Sequence, residues 1–167
     1  MPIVFKSRVF DVEVTSKTFP SGRTHEVTIV RHSPSVVLLP LTDAGHVVLV
    51  RQFRASVDRQ LWEVPAGRLE PGETAEEAAL RECEEETRLV PRRLKRIRGL
   101  YPAPGFCDEE LIFFVASDLE PPPPDSTRKA DDDEEITTRT FTLDEARAMV
   151  ARGEIVDLKS AYALTLV

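Results

Sequence analysis

The chain has 167 residues, close to the roughly 150 of one domain, and 41% of them are hydrophobic, enough for a core of its own. No stretch approaches the ~18 uninterrupted apolar residues of a membrane-spanning helix. Its 22 basic against 29 acidic side chains give a formal charge of -7, the wrong sign for a general binder of nucleic-acid backbones. Two cysteines, Cys83 and Cys107, and three scattered histidines make neither a disulfide framework nor a zinc site. The first residues lack the basic-then-apolar pattern of a signal peptide, so a reducing cytoplasm is expected, and any metal should be held by oxygen.

In chain order, Arg8 to Thr18 alternates apolar and polar residues, and Pro20-Ser21-Gly22 turns it back into His25 to His32, a first hairpin. Val36 to Leu41 and His46 to Phe53 are β-branched runs around Thr42-Asp43-Ala44-Gly45, a second hairpin signal that adds two strands to the sheet. Thr74 to Thr87 is the clearest helix: Thr74 with Glu77 forms a capping box, alanines favour propagation, and Leu80, Cys83 and Thr87 mark the packed stripe. Strands are expected at Leu94 to Tyr101 and Glu110 to Ala116, joined by the stiff Pro102-Ala103-Pro104-Gly105 turn. Pro121 to Asp133 reads as an exposed loop. Strand-like Ile136 to Phe141 then leads into a helix capped by Thr142 and stopped by Gly153, and a last helix is expected from Lys159 to Val167. No repeat or second domain interrupts residues 1–167.

The helix carries the chemistry. Glu82, Glu85 and Glu86 project to one side at 3.6 residues per turn while Glu84 turns away. They sit in the C-terminal half, where the helix dipole disfavours anions, so something positive should compensate. A glutamate run is ordinarily a solvated face, here partly neutralised by Arg81 and Arg88. The Gly67, Pro71, Gly72 and Glu73 loop shifts that reading, because a sharp bend brings a backbone carbonyl and another carboxylate beside the helix. Hard oxygen ligands of this kind suit Mg²⁺ or Mn²⁺, which share their coordination with waters and substrate phosphates.

These residues resemble the Nudix box, Gly-x5-Glu-x7-Arg-Glu-U-x-Glu-Glu-x-Gly-U with U apolar: Gly67, Glu73, Arg81, Glu82, Cys83, Glu85, Glu86 and Leu89 fill it, and Arg88 stands where the family has glycine. If that position needs φ > 0, a side chain there costs on the order of 1 kcal/mol and leaves the acidic turn in place. The resemblance implies an α/β fold, a Nudix-type α/β/α sandwich with a mixed β-sheet plus an N-terminal antiparallel hairpin region. It also implies a hydrolase acting on a nucleoside diphosphate linked to another group.

Leu61-Trp62-Glu63-Val64-Pro65-Ala66-Gly67 and Tyr101-Pro102-Ala103-Pro104-Gly105 look like the ADP-ribose pyrophosphatase group of that family. By that likeness the Ala66 carbonyl, Glu82 and Glu86 hold the divalent ions, with Glu85 near them and Glu134 completing the site. The general base stays open between Asp132, Glu134 and Glu85. Arg54 matches the group's pyrophosphate contact and is favoured over Arg51, with Arg68 a further candidate. Pro104 and Glu109 would stand beside the ribose. The expected reaction is Mg²⁺-dependent (or Mn²⁺-dependent) hydrolysis of ADP-ribose to AMP and ribose 5-phosphate. GDP-mannose or another nucleoside diphosphate sugar is an alternative substrate, and a non-catalytic nucleotide-binding domain an alternative of another class. In the resembling group, N-terminal strands (here within 1–34) pair across a homodimer. Phe10 or Phe19 is available to stack on a base, although the core is the commoner fate of an aromatic.

Overall fold

The computed structural model describes residues 3–130 and 135–167. Among the described residues, ten strands and three helices follow one another as β1 (Ile3–Lys6), β2 (Phe10–Thr18), β3 (Thr24–His32), β4 (Ser35–Pro40), β5 (Val47–Arg54), β6 (Arg59–Glu63), β7 (Ala66–Arg68), α1 (Ala75–Thr87), β8 (Val90–Leu100), β9 (Leu111–Glu120), β10 (Thr137–Phe141), α2 (Leu143–Ala151) and α3 (Leu158–Ala163).

β4 is the centre of the molecule. All six of its residues are buried, and strict alternation sends Val36 and Leu38 to one face and Val37 and Leu39 to the other. It pairs in parallel with β9 and antiparallel with β7, and β8 pairs antiparallel with β9, giving a mixed sheet of order β7-β4-β9-β8. On one face Val36, Leu38, Ile112 and Phe114 pack against Ala75, Ala78, Ala79 and Cys83 of α1. On the other, Val37, Leu39 and Phe113 pack with Leu49 and Phe141, with Ala146 and Met149 of α2, and with Ala163 of α3 and Leu164 just after it. The result is the expected α/β/α arrangement on a mixed sheet.

The second hairpin is only half realised. Its turn forms, with the Gly45 N–H donating to the Thr42 carbonyl at 2.8 Å, but β5 leaves β4 after a single bridge, Leu41 to Val47. A strand has two edges, and those of β4 are taken by β7 and β9. β5 instead sits between β10 and β6 in an antiparallel sheet of its own. Three short strands, β1, β6 and β7, were not legible as strands in the sequence. Of the expected α1 stripe Cys83 and Thr87 are buried but Leu80 only half so; Ala75, Ala78 and Ala79 take its place, because small residues let the helix approach the sheet closely. The last helix stops at Ala163 and does not reach Val167.

The β2–β3 hairpin forms with β1 a separate antiparallel sheet, tied to the body where the β3 Val30 N–H donates to the Phe106 carbonyl at 2.7 Å. Among the described residues no helix is long and apolar enough to cross a membrane.

Candidate active site

Local rules build the acidic helix. The Thr74 hydroxyl accepts from the Glu77 N–H while the Glu77 carboxylate accepts from the Thr74 N–H at 2.9 Å, the reciprocal box expected from the sequence. At the other end Arg88 takes the left-handed conformation, φ 58°, and its N–H donates to the Glu84 carbonyl at 2.9 Å. The departure from glycine is therefore accommodated without shortening the acidic turn.

The loop before the helix closes on the glutamates. Glu82 and Glu86 are buried, and the Ala66 N–H donates to a Glu86 carboxylate oxygen at 3.2 Å. Gly67 faces Glu82 so closely that a Cβ on it would lie 1.9 Å from a Glu82 carboxylate oxygen. Only a residue without a side chain fits between the bend and the helix. Arg81 joins the group: its guanidinium donates to both oxygens of Glu73 at 2.9 Å, to Glu82 at 2.7 Å, to Glu85 at 3.0 Å and to the Arg68 carbonyl at 2.9 Å. That fork holds the Glu73 carboxyl below its ordinary range and raises the pKa of Arg81 itself.

Glu84 points elsewhere, as expected, yet it is buried. It accepts from the Ser126 hydroxyl and, at 3.2 Å, from Arg128, which pins the proline-rich segment to the helix, and Arg88 adds a bond to the Arg128 carbonyl. Asp132 and Glu134 lie outside the described residues. Among the described residues no three His, Cys, Asp or Glu side chains close on one point at ligating distance. The donor set still suits a hard divalent cation: buried Glu82 and Glu86 carboxylates against the Ala66–Gly67 backbone, with no nitrogen or sulfur ligand among them.

A cleft of about 1060 Å³ opens over this bend, large enough for a dinucleotide-sized ligand. Arg54, Arg68, Glu82, Glu85 and Glu109 line it, and Pro102 does so in place of Pro104, which is exposed on the turn outside. Arg68 donates to the Arg8 carbonyl at 2.8 Å, and Glu109 accepts from the Ser35 hydroxyl at 2.7 Å. Arg51 turns out of the cleft, its guanidinium 5.8 Å from the centre of the Trp62 ring. Arg54 makes a bidentate pair with buried Glu63, at 2.8 and 2.7 Å. Burial alone would push the Glu63 carboxyl up, but hydrogen bonds from Arg54 and the charge of Lys159 outweigh it and hold it low.

Sequence reasoning missed Lys159 and Asp157, which line the cleft, and Glu63 behind them. Their contacts join residues 96 positions apart, and no local spacing announces such a pair. Phe10 borders a smaller recess of about 350 Å³ beside the cleft, whereas Phe19 packs edge-on against His25 at the hairpin tip.

A glutamate-bearing helix laid across a glycine bend, on the outer face of a mixed sheet, defines a Nudix hydrolase. The NUDIX domain model matches residues 31–160, and the chain belongs to that family. It is 38% identical over 161 residues to an ADP-ribose pyrophosphatase of Bacillus subtilis, covering 96% of this chain and 86% of that relative. It is 33% identical over 161 residues to a methanol dehydrogenase activator of Bacillus methanolicus, with the same coverage, 96% and 86%. A crystal structure of an ADP compounds hydrolase superposes with a TM-score of 0.84 at 24% identity over 99% of this chain and 88% of that one, a likeness of fold.

Proposed function

We propose that the protein hydrolyses the pyrophosphate bond of a nucleoside diphosphate sugar, ADP-ribose foremost, to AMP and ribose 5-phosphate, with Mg²⁺ or Mn²⁺. The observation that carries this reading is the contact of Gly67 with Glu82 beside the Ala66–Glu86 hydrogen bond, at the floor of a cleft that Arg54 also lines. The likeness to the B. subtilis ADP-ribose pyrophosphatase supports the choice of substrate.

Glu82, Glu86 and the Ala66 carbonyl would hold the cation, with Glu134 as a further ligand. When bound, it supplies Lewis acidity toward the phosphate oxygens and a water acidic enough for a carboxylate to deprotonate. Arg54, seated on Glu63, presents the positive charge of its guanidinium to the diphosphate, and Arg68 is a further cation at the cleft. Glu109, anchored by Ser35, accepts from ribose hydroxyls, and the turn carrying Pro104 stiffens that wall. The proton acceptor is one of Glu85, Asp132 and Glu134. Exposed Ile3, Val4, Phe5, Val9 and Phe10, on the first two strands and the turn between them, support a homodimer through the N-terminal sheet. Free thiols at Cys83 and Cys107 fit a reducing cytoplasm.

Phosphatase-coupled phosphate release with Mg²⁺, across ADP-ribose, GDP-mannose, dinucleoside polyphosphates and nucleoside triphosphates, tests the proposal. Preference for ADP-ribose is expected. Preference for triphosphates removes the sugar-nucleotide assignment, and no turnover of any member favours a binding domain.

A further inference from the structure

Glu63 is only 1% exposed, and it receives two cations, one nine residues away in sequence and one 96 away. Arg54, at the end of the neighbouring strand β5, binds both carboxylate oxygens. Lys159, on the first turn of α3, binds the same oxygen that Arg54 Nη2 holds at 2.7 Å. Lys159 is itself seated on Asp157 at 2.9 Å. The next residue along, Ser160, accepts from the Val64 N–H at 2.8 Å and donates to Asp157. The start of α3 thus grips two consecutive residues, Glu63 by its side chain and Val64 by its backbone, in the segment that runs on into Ala66 and Gly67.

The two cations differ in exposure. Both line the cleft, but the Arg54 side chain is 37% exposed and that of Lys159 only 14%. Two cations, Arg54 and Lys159, balance two carboxylates, Glu63 and Asp157. A carboxylate this deep cannot exchange a lost cation for water, so without Lys159 the shared oxygen of Glu63 has Arg54 as its one remaining partner. The Glu63 carboxylate then loses the contact that fixes its plane, and the guanidinium bonded to both of its oxygens shifts with it.

We infer that Lys159 is a positioning residue for the substrate's diphosphate: from α3 it holds the Glu63 carboxylate on which the Arg54 guanidinium is seated, and so fixes where that guanidinium stands at the cleft. The inference rests on Arg54 being the diphosphate contact, as proposed above. It assigns the C-terminal helix a part in substrate binding and none in proton transfer, so its signature is in KM.

The test is ADP-ribose hydrolysis by Arg54→Gln, Lys159→Gln and the double variant, each checked by thermal denaturation, together with the ¹H–¹⁵N signal of the Arg54 Nε–H. Lys159→Gln is expected to raise KM about tenfold while kcat changes less than about twofold, and to broaden or shift the Arg54 Nε–H signal. The double variant should be no worse than Arg54→Gln alone, since both changes disable one contact. Additive effects, or a fall in kcat at unchanged KM, overturn the positioning role and leave the Arg54 reading intact. An unchanged KM in Arg54→Gln overturns both. If Lys159→Gln does not fold, Lys159→Arg decides. It keeps the charge, but its branched head does not fit the ammonium's seat, so KM should rise by a smaller factor, and a wild-type KM overturns the inference.

Discussion

Gly67 and Glu82 leave no room for an atom between them: a Cβ at position 67 would meet the Glu82 carboxylate at 1.9 to 2.4 Å. The backbone at Gly67 is not in the left-handed region, so the requirement is one of space and not of conformation. It ties the tip of a helical glutamate to the backbone of the bend, and the other features of the site are arranged around that contact.

Gly67→Ala therefore separates fold from function. The atoms a methyl group would strike are the far end of a flexible side chain, so Glu82 swings aside while the bend stays. Stability by urea denaturation should change by less than about 1 kcal/mol, and hydrolysis should fall at least about tenfold. A loss of several kcal/mol would show that the bend itself is what yields.

Acid sensitivity follows from two carboxylates held low. Glu73 is stabilised as an anion by Arg81; Glu63 is pushed up by burial but pulled lower still by Arg54 and Lys159. A carboxyl whose pKa is depressed on folding binds fewer protons folded than unfolded. Its stabilising contribution is complete above the ordinary value of 4.5 and is lost as pH falls through the lower folded value. Urea midpoints should be flat from about pH 7 to 5 with respect to these groups and decline below pH 4.5. In Arg81→Gln that decline should be shallower, from a starting stability lower by about 3 kcal/mol, because Glu73, Glu82 and Glu85 lose their shared cation.

Arg88 at φ 58° carries a steric cost that glycine would remove, while its side chain bonds the Arg128 carbonyl. Arg88→Gly should remain within about 0.5 kcal/mol of wild type, since relieved strain and the lost exposed hydrogen bond oppose each other. Arg88→Val, β-branched in the left-handed region, should cost about 1–2 kcal/mol. Chemical denaturation of the pair checks both signs.

Much of the fold was legible because its signals are local. The capping box of Thr74 and Glu77, the turn at Gly45 and the Gly153 stop, at φ 73°, each depend on a few neighbouring residues. The partition of strands was not, because β5 resembles a partner for β4 until the β7 and β9 pairings are known. β6 and β7 are short and broken by Val64 and Pro65, too brief for a periodic pattern. The glutamates of α1, the Gly67 bend and the Arg54 and Glu109 walls were readable from spacing and family likeness. Lys159 was not, since its partner Glu63 is brought to it only by the packing of the C-terminal helix.

The most direct test is ADP-ribose hydrolysis by wild type, Glu82→Gln and Glu86→Gln across a MgCl₂ titration, with circular dichroism confirming each fold. If these buried carboxylates hold the cation that activates the diphosphate, both variants lose at least about a hundredfold in kcat/KM, and excess Mg²⁺ recovers little of it. Turnover at the wild-type rate by either folded variant, at the same Mg²⁺, would contradict the account.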